Sequence, residues 1–176
     1  MLNGFEIRLA TVADAEIIAR HRVRMFHEMG LVPEHLFESY RTECEARLRE
    51  MLETSEYIGW LASPNERPDQ IVTGVDVQLR SVLPHPVEGT GGEIGIAAGR
   101  HAIIINVFTE PEWRRRGIAK LLMEQIIAWA RTERLDRLVL HASDEGRALY
   151  DHMGFVPTNE MRFKDRLDIP EVGQGS

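Results

Sequence analysis

The sequence predicts an α/β domain in which a central mixed β-sheet is flanked by helices. Strand-like apolar segments alternate with amphipathic segments of helical period, and two neighbouring strand-like segments are separated only by turn residues. In the second half, a nearly unbroken apolar segment leads directly into a glycine turn and a long helix. The 176 residues suffice for one domain, which we expect over residues 1–163, followed by a flexible polar tail over residues 164–176.

The chain is expected to begin with a strand and two helices. Residues 5–9 alternate apolar and polar side chains as a half-buried strand does, and Thr11 with Asp14 forms a capping box that begins the first helix. Residues 33–53 place apolar side chains at three- and four-residue steps, which predicts an amphipathic second helix. Cys44 lies on the apolar stripe of that helix and is therefore expected in the core.

The middle of the chain predicts two antiparallel strands followed by a loop. Residues 57–62 and 71–79 have strand patterning, and the Ser-Pro-Asn and Arg-Pro-Asp tripeptides between them favour turns. Residues 81–100 are rich in proline and glycine and are expected to form a loop. The glycines of residues 89–92 lack the spacing of a dinucleotide-binding motif and are interpreted as part of that loop.

The second half is predicted to supply the central strand and the longest apolar helix. Residues 101–109 are apolar nearly throughout, which is typical of a strand buried on both faces. Gly117 then begins a helix whose apolar face comprises Ile118, Leu121, Leu122, Ile126, Trp129 and Ala130. Residues 138–142 predict another buried strand.

The last predicted elements are a short helix and two closing strands. Ser143 is a helix cap, and the helix that follows it is expected to end at Gly154. The apolar side chains of residues 155–156 and 161–163 predict the closing strands.

Composition and charge exclude several classes of protein. The chain is 43% hydrophobic and 28% charged, which is typical of a globular domain rather than a disordered or collagenous one. Residues 1–10 lack the pattern of a signal peptide, and no later segment is apolar enough to cross a bilayer. The single cysteine, Cys44, excludes an internal disulfide and a thiolate metal cluster, and the seven histidines lack zinc-ligand spacing. We therefore expect a cytoplasmic protein that contacts no membrane and holds no metal.

The most informative segment for chemistry is the turn at residues 114–119. A helix that begins directly after a buried strand offers unpaired backbone N–H groups to a phosphate, and Gly117 and Ala119 allow its close approach. Arg114, Arg115 and Arg116 add positive charge, and in a chain of net charge −7 three arginines suit a small anion better than a nucleic acid. An isolated motif of this kind is equally compatible with a solvated turn, but its place between strand and helix favours an anion site. The nucleoside triphosphate-binding motif G-x-x-x-x-G-K-[ST] is absent.

Two segments resemble the GCN5-related N-acetyltransferase superfamily. Residues 107–119 are similar to its coenzyme-binding signature, [Q/R]-x-x-G-x-[G/A] after a central strand, with Arg114, Gly117 and Ala119 at the fixed positions. Residues 143–155 resemble the family's helix that ends in L-Y-x-x-x-G-F. Ser143 departs from the asparagine that many relatives carry there, and a hydroxyl would have to replace its contact with the coenzyme.

The resemblance implies the acetyltransferase fold, with acetyl-coenzyme A as acyl donor. In such proteins the pantetheine arm lies in a gap beside the central strand, and a primary amine of a small molecule or protein attacks the thioester directly. The coenzyme-binding residues that the resemblance implies are Val107, Phe108, Thr109, Arg114, Arg115, Arg116, Gly117, Ile118, Ala119, Lys120, Ser143 and Tyr150.

Tyr150 is the candidate acid that protonates the departing thiolate. Ser143, Arg147 and Tyr150 follow at helical spacing on one face. Gly146 between them indicates the close approach of another group, for which the sulfur end of the coenzyme is a candidate. A core tyrosine with a satisfied hydroxyl is the alternative interpretation.

Met29 and Asn106 are the candidate contacts of the acceptor. By the resemblance, the segment around Met29 and the second helix border the acceptor site. Asn106 interrupts an apolar strand, so it either positions the acceptor or a water, or ties down a β-bulge. His101, at the start of that strand, is interpreted as solvent-facing rather than as the base.

The sequence therefore predicts an acetyl-coenzyme A-dependent N-acetyltransferase whose partners are the coenzyme and an amine. A homodimer is compatible with this interpretation. The alternative is a regulatory or interaction module that binds acyl-coenzyme A with weak or no turnover. A nucleic-acid-binding domain is disfavoured because the chain is acidic and lacks basic residues interleaved with aromatic ones.

Overall fold

The computed structural model describes residues 4–89, 91–158 and 160–161. The chain divides into two compact units, one within Met1–His141 and one within Ala142–Ser176. The single domain predicted for residues 1–163 stays a prediction. The predicted flexible tail, residues 164–176, lies outside the described residues.

The first unit holds seven strands and three long helices among its described residues. In chain order they are β1 (Phe5–Leu9), α1 (Ala15–Glu28), α2 (Phe37–Glu53), β2 (Tyr57–Pro64), β3 (Thr73–Ser81), β4 (His85–Glu88), β5 (Ile94–Ala97), β6 (Arg100–Thr109), α3 (Ile118–Thr132) and β7 (Arg137–Leu140). Short 3-10 turns at Val12–Asp14, Glu34–Leu36 and Pro111–Trp113 precede the three helices. The second unit contains α4 (Asp144–His152).

The main sheet is mixed, as predicted. Its strand order is β1-β2-β3-β6-β7, with every neighbouring pair antiparallel except β6 and β7, which are parallel. A parallel pair requires a crossover connection, and α3 supplies it between β6 and β7. The predicted capping box is present at the 3-10 turn that leads into α1, where the backbone N–H of Thr11 donates to Asp14 Oδ2 at 2.8 Å.

Helices cover both faces of the main sheet. Leu61 of β2 packs in a buried cluster with residues of α1 and α2, including Ile18 and Met51. The preceding residue, Trp60, instead makes an edge-to-face contact with Trp129 of α3 at 5.2 Å between ring centroids. Because successive strand side chains point to opposite faces, α1 and α2 cover one face and α3 covers the other. None of the helices among the described residues is both long and apolar enough to span a bilayer.

Residues 81–100, predicted as a loop, contain the two strands of a second, two-stranded sheet. β4 and β5 pair antiparallel from His85↔Ala97 to Glu88↔Ile94. The prediction was wrong because each strand is only four residues long and Ile94 and Ile96 are largely exposed, so the pattern lacks the buried apolar run that marks a strand.

The predicted closing strands are also not observed. Phe155 and Val156 belong to no strand, and neither does Met161, while Arg162 and Phe163 lie outside the described residues. The chain leaves α4 through Gly154 in the left-handed region at φ 88°, as predicted for the end of that helix.

A β-bulge interrupts the central strand at Asn106. Gly74 of β3 pairs with Phe108, but Asp76 pairs with Ile105, so the register shifts between these two positions. Asn106 has φ 52°, in the left-handed region that asparagine tolerates better than most residues. The bulge predicted as one of the two roles of Asn106 is therefore present.

Candidate active site

The turn between β6 and α3 presents unpaired backbone donors. Arg115 and Gly117 both lie in the left-handed region, at φ 60° and 77°, and Gly117 caps the start of α3. Within the described part of the chain, the backbone N–H groups of residues 115–120 donate to no protein acceptor, and the first intrahelical bond is Leu121 N to Gly117 O at 3.1 Å. No acidic side chain lies in the first turn of α3. This geometry suits a bound anion.

The three arginines of the turn have different environments. Arg114 donates from Nε to Thr109 O at 2.9 Å and from Nη2 to Glu28 Oε2 at 2.5 Å, so its guanidinium is held against β6 and α1. Arg116 lies over the Trp113 ring, 4.6 Å from the ring centroid. Arg115 has no hydrogen-bond or ion-pair partner among the described residues. The sequence therefore located the cluster, whereas only the structure distinguishes the occupied Arg114 from the unpaired Arg115.

The remaining residues of the predicted turn are positioned by the start of α3. Ile118 is buried in the core at 1% exposure, so it anchors the turn through its side chain. Ala119 is half-buried, and Lys120 is exposed with its ammonium 3.8 Å from Glu124.

β6 has an open edge directly before this turn. β7 pairs with β6 only from His101↔Arg137 to Ile104↔Leu140, whereas β3 remains paired as far as Thr109. Among the described residues, no strand pairs with this edge over residues 105–109. Such a gap beside the central strand is what the resemblance implied.

The polar groups of two residues face the open edge. Glu110 N donates to Val72 O at 2.9 Å on the β3 side. The N–H and C=O groups of successive strand residues point to alternate edges of the strand. Since Glu110 points to β3, the backbone N–H and C=O of Phe108 also point to β3, and those of Val107 and Thr109 point to the open edge. The side chain of Phe108 is buried at 3% exposure.

An ion-pair cluster that the sequence did not reveal ties α1 to the start of the turn. Glu110, directly after β6, pairs with Arg24 and lies 3.6 Å from Nε2 of the buried His21. The adjacent His21 ring, followed by Arg24, lowers the pKa of Glu110 to about 2, so it stays ionised. Burial lowers the pKa of His21. No local motif joins these residues, because Glu110 and Arg24 are 86 positions apart.

A cavity of about 310 Å³ lies between α1, α2 and the bulged part of β6. Its lining residues are Arg22, Tyr40, Glu43, Cys44, Arg47, Leu48, Met51, Tyr57, Gln78, Ile105 and Asn106. Of the two predicted acceptor contacts, Asn106 lines this cavity, while Met29 lies past the end of α1, outside the lining and half-exposed at 49%. Cys44, predicted in the core, packs against the buried cluster but is only half-buried and faces the cavity.

Asn106 is held by two side chains of neighbouring elements. Its Nδ2 donates to Tyr57 Oη at 2.7 Å, and its Oδ1 accepts from Arg22 Nη1 at 2.6 Å. Arg22 also donates to Tyr40 Oη at 3.2 Å. Both hydrogen-bonding functions of the Asn106 amide are thereby used at the bulge, which fixes its orientation.

Asp76 is a buried acid that the sequence did not single out. It lies on β3 next to Tyr57 and Asn106 and is 2% exposed, and its Oδ1 has no hydrogen-bond partner within the described part of the chain. Burial raises the pKa of Asp76 to about 7, although the nearby polar groups of Tyr57 and Asn106 and the charge of Arg22 oppose the rise. Residues 75–78 of β3 alternate apolar and polar side chains, a pattern that is the same whether the polar face is exposed to water or covered by helices. The sequence therefore does not reveal that α1 and α2 cover the face that holds Asp76.

In the second unit, the predicted Tyr150 lies on α4, and the predicted Ser143 lies directly before this helix. Ser143 caps the helix, its Oγ accepting from Gly146 N at 3.2 Å. Tyr150 is buried, its ring meets Phe155 at 6.2 Å between centroids, and burial raises the pKa of its hydroxyl. A Cβ on Gly146 would lie 2.8 Å from Tyr150 Cε2, so the group that approaches this glycine is the tyrosine ring of its own helix.

No metal centre is formed within the described residues, where no group of three or more His, Cys, Asp or Glu side chains could hold a metal ion.

His101 is half-buried beside His85, at 5.1 Å between ring centroids, and burial lowers the pKa of His101.

Comparison with known proteins identifies the family. The model of the acetyltransferase (GNAT) family matches residues 31–155. A GCN5-related N-acetyltransferase from Ralstonia eutropha JMP134 is 27% identical with a TM-score of 0.77, covering 92% of this chain and 99% of that one. A predicted acetyltransferase from Clostridium acetobutylicum, solved with acetyl-CoA, is 23% identical with a TM-score of 0.74, covering 92% and 96%.

A more distant similarity is to glucosamine-6-phosphate N-acetyltransferase from Arabidopsis thaliana, at 14% identity and a TM-score of 0.63, covering 93% of this chain and 99% of that one. No curated protein matches the sequence significantly. Because the family model spans well over half of the sequence, from the end of α1 to the residues after α4, this chain belongs to the acetyltransferase (GNAT) family.

Proposed function

We propose that this protein transfers an acetyl group directly from acetyl-CoA to a primary amine of a small molecule or protein. The observation that carries the proposal is the row of unpaired N–H groups at residues 115–120, which opens α3 directly after the unpaired edge of β6. The family membership and the acetyl-CoA in the Clostridium structure support acetyl-CoA as the donor.

In this proposal the turn binds the diphosphate of the coenzyme. The backbone of residues 115–120 donates to the phosphate oxygens, and Arg115 and Arg116 add positive charge beside it. Arg114 contributes mainly by holding the turn against β6 and α1, because its guanidinium is already bonded to Thr109 and Glu28. Gly117 and Ala119 permit the close approach, and Ile118 fixes the turn to the core.

The open edge of β6 binds the pantetheine arm as an added strand would. Val107 directs its N–H and C=O to this edge, and its N–H is suited to polarise the thioester carbonyl. At Thr109 only the N–H is available, because the C=O accepts from Arg114 Nε. Phe108 forms the apolar support beneath, stacked at 4.9 Å on the His21 ring. Acetyl-CoA supplies the activated acyl group, and the chain supplies orientation and charge stabilisation.

Two residues of α4 are proposed to act at the reacting end. Tyr150 donates the proton that the departing thiolate requires, and its raised pKa keeps the hydroxyl protonated at neutral pH. Ser143 contacts the pantetheine through its hydroxyl hydrogen, since its oxygen already accepts from Gly146. Both assignments rest on the family resemblance of residues 143–155.

The cavity beside the bulge is proposed as the acceptor site. It combines an apolar floor from Leu48 and Met51 with the polar groups of Tyr40 and Asn106, which suits an amine with an apolar body. Met29 lies outside this lining, so it contacts only an acceptor that extends beyond the cavity.

The test is a panel of amines with acetyl-CoA, in which released thiol and acetylated product are both measured. The panel contains free amino acids, polyamines, a peptide with a free N-terminus, and glucosamine 6-phosphate, after which the Arabidopsis enzyme is named. Stoichiometric thiol and acetylamine support the proposal. Tight acetyl-CoA binding by calorimetry without turnover on any amine would instead favour a regulatory binding module.

Direct transfer is separated from a covalent route by Cys44→Ala. Cys44 is the only cysteine of the chain and faces the proposed acceptor cavity, but burial raises the pKa of its thiol, which disfavours the nucleophilic thiolate. We expect the variant to retain turnover. An acetylated Cys44 in wild-type protein, together with loss of turnover in a folded Cys44→Ala variant, would contradict direct transfer.

A further inference from the structure

Asp76 lies in a place that is costly for a carboxylate. It is buried on the sheet face that α1 and α2 cover, and within the described residues it forms no ion pair, because the nearby Arg22 guanidinium bonds Asn106 and Tyr40 instead. An ionised group buried without a paired charge destabilises the folded state. The neighbouring strand nevertheless accommodates it, since a Cβ at Gly59 would lie 2.5 Å from Asp76 Oδ1.

Tyr57 connects this acid to the cavity. The tyrosine lines the cavity. Because Tyr57 pairs with Gln78 and Gly59 pairs with Asp76, Tyr57 and Asp76 are diagonal neighbours on the same face of the sheet, within reach of an aromatic side chain. A tyrosine oxygen accepts two hydrogen bonds, and Asn106 Nδ2 uses one of these positions at 2.7 Å. Burial, and then the charge of Asp76, raise the pKa of Tyr57 well above its usual value, so the phenol stays neutral and can pass a proton without holding a charge.

We propose that Asp76 accepts the proton released by the acceptor amine, and that the Tyr57 hydroxyl carries this proton from the cavity to the carboxylate. The inference rests on the proposed function and assigns the base that direct transfer requires. Tyr57 touches the amine or a water bound to it, while Asp76 acts only through Tyr57.

The step balances without any further reactant. One N–H bond of the protonated amine breaks and an O–H bond forms at Tyr57, whose former proton moves to Asp76. An ammonium and a carboxylate thus become a neutral amine and a carboxylic acid, and the nitrogen lone pair is free to attack the thioester. After product release, Asp76 returns the proton to solvent by the same path.

The groups around the pair support a role in proton transfer. Three groups on neighbouring elements favour the charged form of Asp76 and so oppose the rise of its pKa: Tyr57 of β2, Asn106 of β6 and Arg22 of α1. Four titratable groups of α2 line the cavity instead: Tyr40, Glu43, Cys44 and Arg47. Since the pKa of Asp76 is raised by folding to about 7, its ionisation opposes folding above the unfolded value, so a purely structural reason for the acid is not evident.

The test compares Asp76→Asn, Tyr57→Phe and the control Asp69→Asn, an exposed acid of a surface loop. With the most active amine of the panel, we expect the wild-type rate to rise with pH through about 7 and then level off. Asp76→Asn should lower the neutral rate by about 10² to 10⁴ and remove the plateau, with acetyl-CoA affinity unchanged. Tyr57→Phe should have the same effect, and Asp69→Asn none.

A second readout does not depend on activity. In the free wild-type protein, the infrared band of a protonated carboxyl should appear as the pH falls through about 7, and Asp76→Asn should lack it. A rate loss that is uniform across the pH range, an unchanged acidic limb in Asp76→Asn, or the absence of such a band would overturn the inference. If the wild-type protein acetylates no amine, the proposed function fails and this inference fails with it; if the wild-type protein acetylates an amine but Asp76→Asn and Tyr57→Phe do not behave as described, the inference alone is wrong.

Discussion

Arg114 Nη2 lies 2.5 Å from Glu28 Oε2, so the first arginine of the candidate diphosphate turn is bonded to a carboxylate of α1. The same guanidinium donates to Thr109 O at 2.9 Å and lies over the Phe108 ring, 5.7 Å from its centroid. Glu28 thereby places a negative charge beside a site that we propose binds an anion.

The first prediction is that Glu28→Gln raises the affinity for acetyl-CoA. Removing the charge frees the Arg114 guanidinium and abolishes a repulsion, which should tighten binding about two- to ten-fold at low salt. The pair is partly exposed, with side-chain exposures of 43% and 38%, so the free energy of unfolding should change by less than about 1 kcal/mol. Calorimetry and urea unfolding measure the two quantities.

The matched control is Glu53→Gln, which makes the same charge change at the end of α2. Equal gains in affinity for both variants would mean that only the net charge matters. Weaker binding by Glu28→Gln would show that Glu28 is needed to hold Arg114 in a productive position.

The second prediction concerns Gly117. Its φ of 77° disfavours any side chain, at a cost of about 1 to 2 kcal/mol, and a side chain there would also cover the N–H groups of the turn. Gly117→Val should therefore weaken acetyl-CoA binding by about tenfold or more. Gly92→Val is the control, because Gly92 has φ 84° in the β4–β5 turn and should share the loss of stability without the loss of affinity. Unchanged coenzyme affinity in folded Gly117→Val would remove the turn from the binding site.

The sequence predicts those parts of the fold that are determined by patterns within a short segment of the chain. The strand at residues 5–9, the central strand and the helix after Gly117 are set by periodicity and turn chemistry, and the structure confirms them. The hairpin at β4 and β5 was missed because its strands are short and largely exposed. Nothing local marks Asp76 as buried, since an alternating strand has the same pattern whether water or a helix covers its polar face.

In the candidate site, too, contiguous motifs could be predicted from the sequence and contacts between distant residues could not. The turn at residues 114–119 is contiguous and could be found, but the partner of Arg114 is 86 positions away, as is that of Arg24. The sequence marks Asn106 as unusual because it interrupts an apolar strand, and it allows two roles: positioning the acceptor or a water, and tying down a β-bulge. The structure shows the bulge, and the contact with an acceptor stays a prediction.

The third prediction tests the packing around Asp76. Gly59→Ala places a Cβ 2.5 Å from Asp76 Oδ1 and 3.0 Å from Ala10 Cβ, so it should destabilise the fold by about 1 to 3 kcal/mol. Combining it with Asp76→Ala should recover part of that loss, which a double-mutant cycle by urea unfolding would reveal as a coupling above about 0.5 kcal/mol. Gly95→Ala, where a Cβ meets nothing within 4 Å, should be near neutral. Strict additivity would contradict the assigned contact.

The fourth prediction concerns the acid dependence of stability. The pKa of Glu110 is lowered on folding to about 2, so its stabilising effect is complete above the unfolded value and is lost as the pH falls toward 2. Glu110→Gln should therefore lose about 2 to 3 kcal/mol of unfolding free energy at pH 7, and the difference from wild type should shrink as the pH is lowered below about 4. Glu112→Gln, an exposed neighbour, is the control. A difference that is independent of pH would show that the lost contact is not electrostatic.

The fifth prediction is that the Tyr150 hydroxyl protonates the coenzyme thiolate. Tyr150→Phe keeps the ring that packs against Gly146 and Phe155, so it should leave the melting temperature and coenzyme affinity nearly unchanged while turnover falls by about 10² to 10⁴. Phe155→Leu is the matched control, because it alters the packing of the ring and keeps the hydroxyl; it should lower the melting temperature more than the turnover. A structural tyrosine predicts a lowered melting temperature for Tyr150→Phe, with near-normal turnover of the folded molecules. Wild-type turnover by Tyr150→Phe, with an amine whose chemical step limits the rate, would show that water or the ammonium product protonates the thiolate instead.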